Sequence, residues 1–241
     1  MTGHSASPRR AGETTVADRH WLVWFARCGP ASYLSHLDTA RALQRTFARA
    51  GIDLALSQGF RPKVRFSLPL PLPVGAAGFD ELAVAEVTAG APPPSDAVRA
   101  LRAAAPEGLT PTRVRECSAR VRPRPRAARY AAEVRGDAVI LAAEAARFAA
   151  EDEVLVERTS PKGRRTLDLK RYIGDLIVEA VPGGARICFS VRHRSDGAAR
   201  PQEVVDLLAG RAGCPTVVHR LTRLGVSFEG VPRDEMSGRE E

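Results

Sequence analysis

Residues 21–27 (WLVWFAR) form a nearly unbroken apolar run, the pattern of an interior strand covered on both faces. Gly29 and Pro30 interrupt it, and a helical pattern follows. Ser35 with Asp38 three residues on has capping-box spacing, and at about 100° per residue His36, Ala40, Leu43, Phe47 and Ala50 share a face. Gly51 closes this helix. Beyond the loop SQGFRP, residues 63–68 alternate: Val64, Phe66 and Leu68 on one side, Lys63, Arg65 and Ser67 on the other. The run PLPLPVG lacks the N–H groups for a full ladder, so it is expected to bend or edge the sheet. Residues 81–87 predict a strand, residues 95–105 a helix and residues 112–121 a strand. The order β-α-β-β-α-β is the ferredoxin-like arrangement.

RPRPR at residues 122–126 predicts a stiff, extended link. The order then repeats. Residues 130–134 and 153–158 predict strands around a helix at 142–150, and residues 175–181 and 186–192 a hairpin turning at Pro182-Gly183-Gly184. Pro201 opens a helix striped by Val204, Leu207 and Leu208, and residues 217–228 give the last strand. The expected fold is α+β: two tandem ferredoxin-like modules, residues 20–122 and 127–228, the second with a basic insertion at 159–172. Residues 1–19 and the acidic residues 229–241 are expected to be disordered tails.

The length of 241 residues suits either one large domain or two modules. No apolar run approaches the roughly 20 residues of a membrane helix, and the first twenty residues have no secretory pattern. Cys28, Cys117, Cys188 and Cys214 show neither the CxxC spacing of a zinc or redox site nor the CxxxCxxC triplet of an iron–sulfur site. Free thiols in a reducing, cytoplasmic setting are expected, and no metal or cofactor in this chain.

The formal charge of +8 attracts anionic partners, nucleic acid foremost. All 36 basic residues except Lys63, Lys162 and Lys170 are arginines. Residues 111–129 hold seven arginines against Glu116, and residues 160–172 five cations against Asp168. Such stripes suit phosphate contacts, and they equally suit a solvated face. The loop around Gln58, Phe60, Arg61 and Lys63 combines an aromatic with two cations, as single-stranded nucleic acid binders do. Phe60 as a core plug is the alternative. The candidate nucleic-acid set is His36, Arg41, Gln58, Phe60, Arg61, Lys63, Arg65, Arg120, Arg122, Arg124, Arg126, Lys162, Arg164 and Arg165. His36, grouped with Tyr33, Asp38 and Arg41 at a helix start, is read three ways: packing, phosphate contact or acid–base catalysis.

RCGPASYLSHLDTARALQRTFARAG followed by SQGFRPKVRFSLPLPLPVG resembles the N-terminal signature of the radical SAM-linked protein family. SPKGRRTLDLKRYI, SVRHRSDGAARPQEVVDLL and LTRLGVSFEG are similar to its later segments. The resemblance implies a partner encoded beside or fused to the chain: a radical SAM enzyme with a cobalamin-binding domain. That partner is expected to carry the iron–sulfur cluster, S-adenosylmethionine and cobalamin. The first expectation for function is therefore a non-catalytic accessory protein presenting RNA, a tRNA or rRNA, to that enzyme. The second is a metal-independent endoribonuclease similar to CRISPR repeat-processing nucleases, with His36 as base and Lys63 or Arg61 opposing the phosphate charge. A protein-interaction scaffold is the third.

Overall fold

The computed structural model describes residues 19–160, 163–213 and 217–231. Most of both expected tails, together with Lys162 and Cys214, lies outside the described residues. The first half comprises β1 (Arg19–Arg27), α1 (His36–Arg49), β2 (Phe66–Ser67), β3 (Ala77–Val87), α2 (Pro94–Ala104) and β4 (Leu109–Cys117). The second comprises β5 (Arg124–Arg135), α3 (Ala138–Ala150), β6 (Leu155–Ser160), β7 (Gly163–Asp168), β8 (Ile173–Val181), β9 (Gly184–Arg192), α4 (Pro201–Ala212) and β10 (Val217–Glu229).

The result is an α+β fold built on one mostly antiparallel sheet in the order β4-β1-β3-β10-β5-β9-β8, with β2 added beside β3. The run WLVWF sits in β1 between β3 and β4, so Trp21 to Phe25 are all buried. The first half has the order β4-β1-β3-β2 and the second β10-β5-β9-β8. Each therefore places its strands fourth, first, third, second when the β6–β7 hairpin is set aside. β3 and β10 join the halves by a parallel pairing of two register pairs, Thr222 with Ala77 and Arg223 with Gly78.

Alternation along the strands gives each half a core on one face. Trp21, Val23, Phe25, Ala83 and Ala85 pack with Leu43, Phe47 and Leu101 of the helices. Ala128, Tyr130, Ile187 and Phe189 pack with Leu141, Phe148, Val204 and Leu208. The buried residues of α1 are Thr39, Ala42, Leu43, Thr46 and Phe47, so its inward face is turned slightly from the expected one. The Ser35 hydroxyl caps α1 by accepting from the Asp38 amide at 3.1 Å, and it donates to the Asp38 carboxylate at 2.7 Å.

Several elements depart from their expected course. The proline run leaves the sheet and becomes a strap across the helix side. Leu68 packs on the first core and Leu70 on the second. Prolines supply carbonyls but no N–H, so the strap needs donors from elsewhere, and two buried arginines provide them. Arg27 donates to the carbonyls of Leu34, Leu72, Pro73 and Ala76. Arg223 donates to those of Leu70 and Pro71 and to both oxygens of Glu81. β2 is short because Val64 bridges Leu56 rather than β3. β4 ends at Cys117, where a turn closes from Val121 N–H to Ser118 carbonyl. The expected link at 122–126 is half strand, because Arg124 already faces Glu229. β6 pairs only with β7, as a hairpin separate from the large sheet.

Candidate nucleic-acid interface

The SQGF loop is the tip of a small hairpin. Leu54 bridges Val87 and Leu56 bridges Val64. The Ser57 amide donates to the Lys63 carbonyl at 2.8 Å, and the Lys63 amide donates to the Ser57 hydroxyl at 2.9 Å. Gly59 turns the tip at φ 126°, which a side chain would strain. Phe60 stands fully exposed, at 108% of its reference area, so it is no core plug. Gln58, Arg61 and Lys63 are exposed around it, with no ion pair to a described residue. Arg65 is half-tied, donating to Glu86 at 2.8 Å.

This hairpin leaves the first half where β1 begins and β3 and β4 end, since Arg19 pairs with Val87 and His20 with Cys117. The turn carrying Arg120 follows β4 at that same end. From there residues 118–124 cross the helix-free face. Leu22, Trp24 and Leu82 of that face are covered by Val121, Phe228 and Val231. Arg113 lies over the Trp24 ring at 3.8 Å, a cation–π contact the sequence alone does not reveal. Arg120, Arg122 and Arg124 line a shallow groove with Glu229 and Gly230. Arg122 folds back onto the carbonyls of Ala119 and Val121, at 2.6 and 3.0 Å. Arg126 is exposed, and its carbonyl accepts from the His193 amide at 2.7 Å.

The other candidates lie elsewhere. Arg164 and Arg165 are exposed on β7 of the second half, where Arg165 donates to the Asp196 carbonyl at 3.1 Å. The β6 strand of that hairpin is tied to α4 by the two-pronged Arg158–Glu203 pair, both bonds 2.7 Å. Arg41 pairs with Asp38 at 3.3 Å in the first turns of α1. His36 is the first residue of α1, half-exposed, with no hydrogen-bond partner among the described residues. It edges a cleft with Arg27, Leu70 and Glu81 whose volume is about 10 Å³, room for one water and no more. The fourteen residues of α1, about 21 Å of helix, separate it from the SQGF hairpin. His36 and the tip therefore do not form one site.

A ring with no hydrogen bond has none to lose. His36→Ala is expected to change stability by less than about 0.5 kcal/mol, as at other surface positions. Wild type and variant are both expected to leave RNA uncut in the presence of a metal chelator. Gel analysis of RNA and a melting curve check this; cleavage by wild type that disappears in a stably folded variant would establish His36 as a catalyst.

Cys28, Cys117 and Cys188 are half-buried free thiols. Burial pushes the Cys117 and Cys188 thiols up, away from the reactive thiolate. Among the described residues no cluster of three or more His, Cys, Asp or Glu is placed to hold a metal ion. No described helix is long and apolar enough to cross a membrane.

The chain belongs to a bacterial family described as "Uncharacterized protein conserved in bacteria (DUF2344)", whose model matches residues 20–201. No curated protein matches it. Among solved structures it is similar to a chain of "Crystal Structure of a Cbf5-Nop10-Gar1 Complex", at 14% identity and TM-score 0.44 over 86% of this chain and 48% of that one. It therefore spans about half the length of that chain. Weaker likenesses are to "Crystal Structure of an Unknown Protein from Galdieria sulphuraria", at 15% identity and TM-score 0.25 over 84% of this chain and 98% of that one, and to "Crystal structure of putative glycine cleavage system transcriptional repressor", at 11% identity and TM-score 0.23 over 89% and 99%.

Proposed function

We propose that this protein is a non-catalytic accessory factor that binds single-stranded RNA and presents it to a radical SAM enzyme bearing cobalamin. Its two halves are then ferredoxin-like modules sharing one sheet, a reading supported by the repeated fourth-first-third-second strand order. The observation that carries the RNA reading is the hairpin tip, where a fully exposed Phe60 stands between Arg61 and Lys63. A bare Phe ring flanked by two cations offers a base a face to stack on and its phosphates opposite charge. The arginines at 120, 122, 124 and 126 extend the basic surface from the same end of the first half. Their role is affinity and register, as phosphate contacts carry no sequence information. The partner enzyme supplies the cluster, S-adenosylmethionine and cobalamin, and the setting is the cytoplasm. The RNA is a structured one with an accessible single-stranded segment, as in tRNA or rRNA.

The test is fluorescence anisotropy with labelled single-stranded RNA over a series of salt concentrations. Phe60→Ala is expected to cost about 1–3 kcal/mol of binding, the worth of one stacked base. Arg61→Gln and Lys63→Gln are each expected to lower the log–log salt slope by roughly 0.7. Binding that ignores all three changes would leave the tip without this role. Co-purification with the neighbouring radical SAM enzyme, retained when RNA is digested, tests the partnership separately.

A further inference from the structure

We infer that a groove on the helix-free face of the second half, floored by Gly225 and walled by Arg129 and Arg192, binds one nucleotide unit of the single-stranded RNA through its phosphate. This deepens the RNA-binding reading and rests on it.

Arg129 of β5 stands opposite Ser190 of β9, and Arg192 is two residues further along β9. They are diagonal neighbours on one face, roughly 7 Å apart, so one phosphate can meet both guanidinium groups. Their face is the open one, because Ala128 and Tyr130 on β5 and Phe189 and Val191 on β9 point into the core. Both arginines are exposed, and neither has an ion pair with a described residue. Further along this face Arg186 and Arg220 share Glu133, at 3.2 and 2.7 Å.

Two glycines shape the site. Gly225 of β10 lies beside Arg129. A Cβ there would meet only Asp80, at 3.9 Å, so the space above it is open. Gly174 of β8 lets Arg192 lie across the strand, where a Cβ would come within 2.8 Å of the guanidinium. The groove measures about 570 Å³, within the range of small-molecule sites. Asp80 closes the side toward the first half, and Asp175 accepts from Ser190 at 3.2 Å on the other. Burial raises the Asp80 carboxyl pKa, and its oxygens can accept a hydrogen bond from a sugar hydroxyl or a base amine. Each wall thus offers a different contact: cations for the phosphate, a carboxyl for the polar edge of the nucleoside.

The experiment titrates a labelled short oligouridine with the full chain at several salt concentrations. The Arg129→Gln/Arg192→Gln double variant is expected to bind on the order of tenfold more weakly or worse at low salt, with the salt slope lowered by roughly 0.7, one phosphate no longer neutralised. Gly225→Leu fills the groove but keeps every charge. It is expected to bind on the order of tenfold more weakly with the slope of wild type, because bulk and not charge has changed. Melting curves identify any variant that fails to fold; the arginine variant carries the test if Gly225→Leu does. Wild-type binding with both variants unchanged overturns the groove and leaves the RNA reading standing. A weakened arginine variant beside a folded, unaffected Gly225→Leu also overturns it, by placing the phosphate outside the groove. A wild type that binds no RNA removes the reading and the groove together.

Discussion

Glu81→Gln is expected to destabilise the protein by about 3–5 kcal/mol, the loss measured when one member of a buried ion pair is removed. Arg223 is fully buried and Glu81 nearly so. Burial opposes the charge on Arg223, and the bonds and charge of Glu81 more than offset it, so its pKa is raised. Without the carboxylate the guanidinium stays charged in a dry site, with only neutral partners left: the glutamine amide oxygen, the Tyr130 hydroxyl and the strap carbonyls. The position magnifies the effect, since β3 and β10 share only two register pairs and this bond joins the halves beside them. For a chain of this size the loss corresponds to a fall in Tm on the order of 10 °C. Replacing both partners by apolar residues, Glu81→Leu with Arg223→Met, removes the stranded charge and is expected to recover part of it. Recovery stays incomplete because the Leu70 and Pro71 carbonyls still lose their donor. Urea unfolding of the single and double variants measures both terms. A single variant within about 0.5 kcal/mol of wild type would mean the pair does not hold the halves together.

The pair also marks where sequence reasoning stops. Interior strands and amphipathic helices were legible because their signals are local: the WLVWF run, the Ser35–Asp38 cap, and the stripe of Val204, Leu207 and Leu208. A charge facing the core is legible only through register. Glu81 begins an apolar strand and Arg223 interrupts LTRLGV, but nothing local pairs residues 142 apart. Chain-stiffening prolines misled in the opposite direction. RPRPR suggested a link, yet Pro125 fits in β5 opposite Phe228, beside an irregularity in the ladder that accommodates a missing N–H. LVERTS has strand-like residues but offers the second core only Val156, with Leu155 exposed, and β6 stays outside the large sheet. The tip residues of the candidate interface were legible from chemistry, as an aromatic among cations. Arg192 was not, because its partnership with Arg129 exists only once β5 and β9 are in register. His36 drew attention by residue type, and the fold places it a helix length from the tip.

Arg27→Met is expected to cost about 3–5 kcal/mol, through unsatisfied acceptors and not through a stranded charge. The Arg27 side chain is almost wholly buried and bonds no carboxylate directly. Burial is the main influence on its pKa and lowers it, with the Glu81 charge opposing. Its two Nη atoms donate to four carbonyls, at 2.7–3.4 Å, and to the Thr39 hydroxyl at 3.1 Å. Three of those carbonyls, on Leu72, Pro73 and Ala76, belong to the strap. A thioether of similar volume fills the space but donates nothing, and each buried acceptor left alone costs about 1–3 kcal/mol before relaxation. Arg27→Lys keeps the charge, yet a single ammonium cannot reproduce the planar fork that reaches the strap and Leu34 together. An intermediate loss is expected for it. Hydrogen exchange separates this role from that of Arg223. The strap amides of Gly75, bonded to Ser32, and Ala76, bonded to Pro73, are expected to lose protection in Arg27→Met. Amides between β5 and β9 in the second half are expected to lose less, because Arg27 touches only the first half and the strap. Equal loss everywhere would make Arg27 a general core residue. Unchanged strap protection would mean that the proline carbonyls find other donors and that this arginine does not fix the strap.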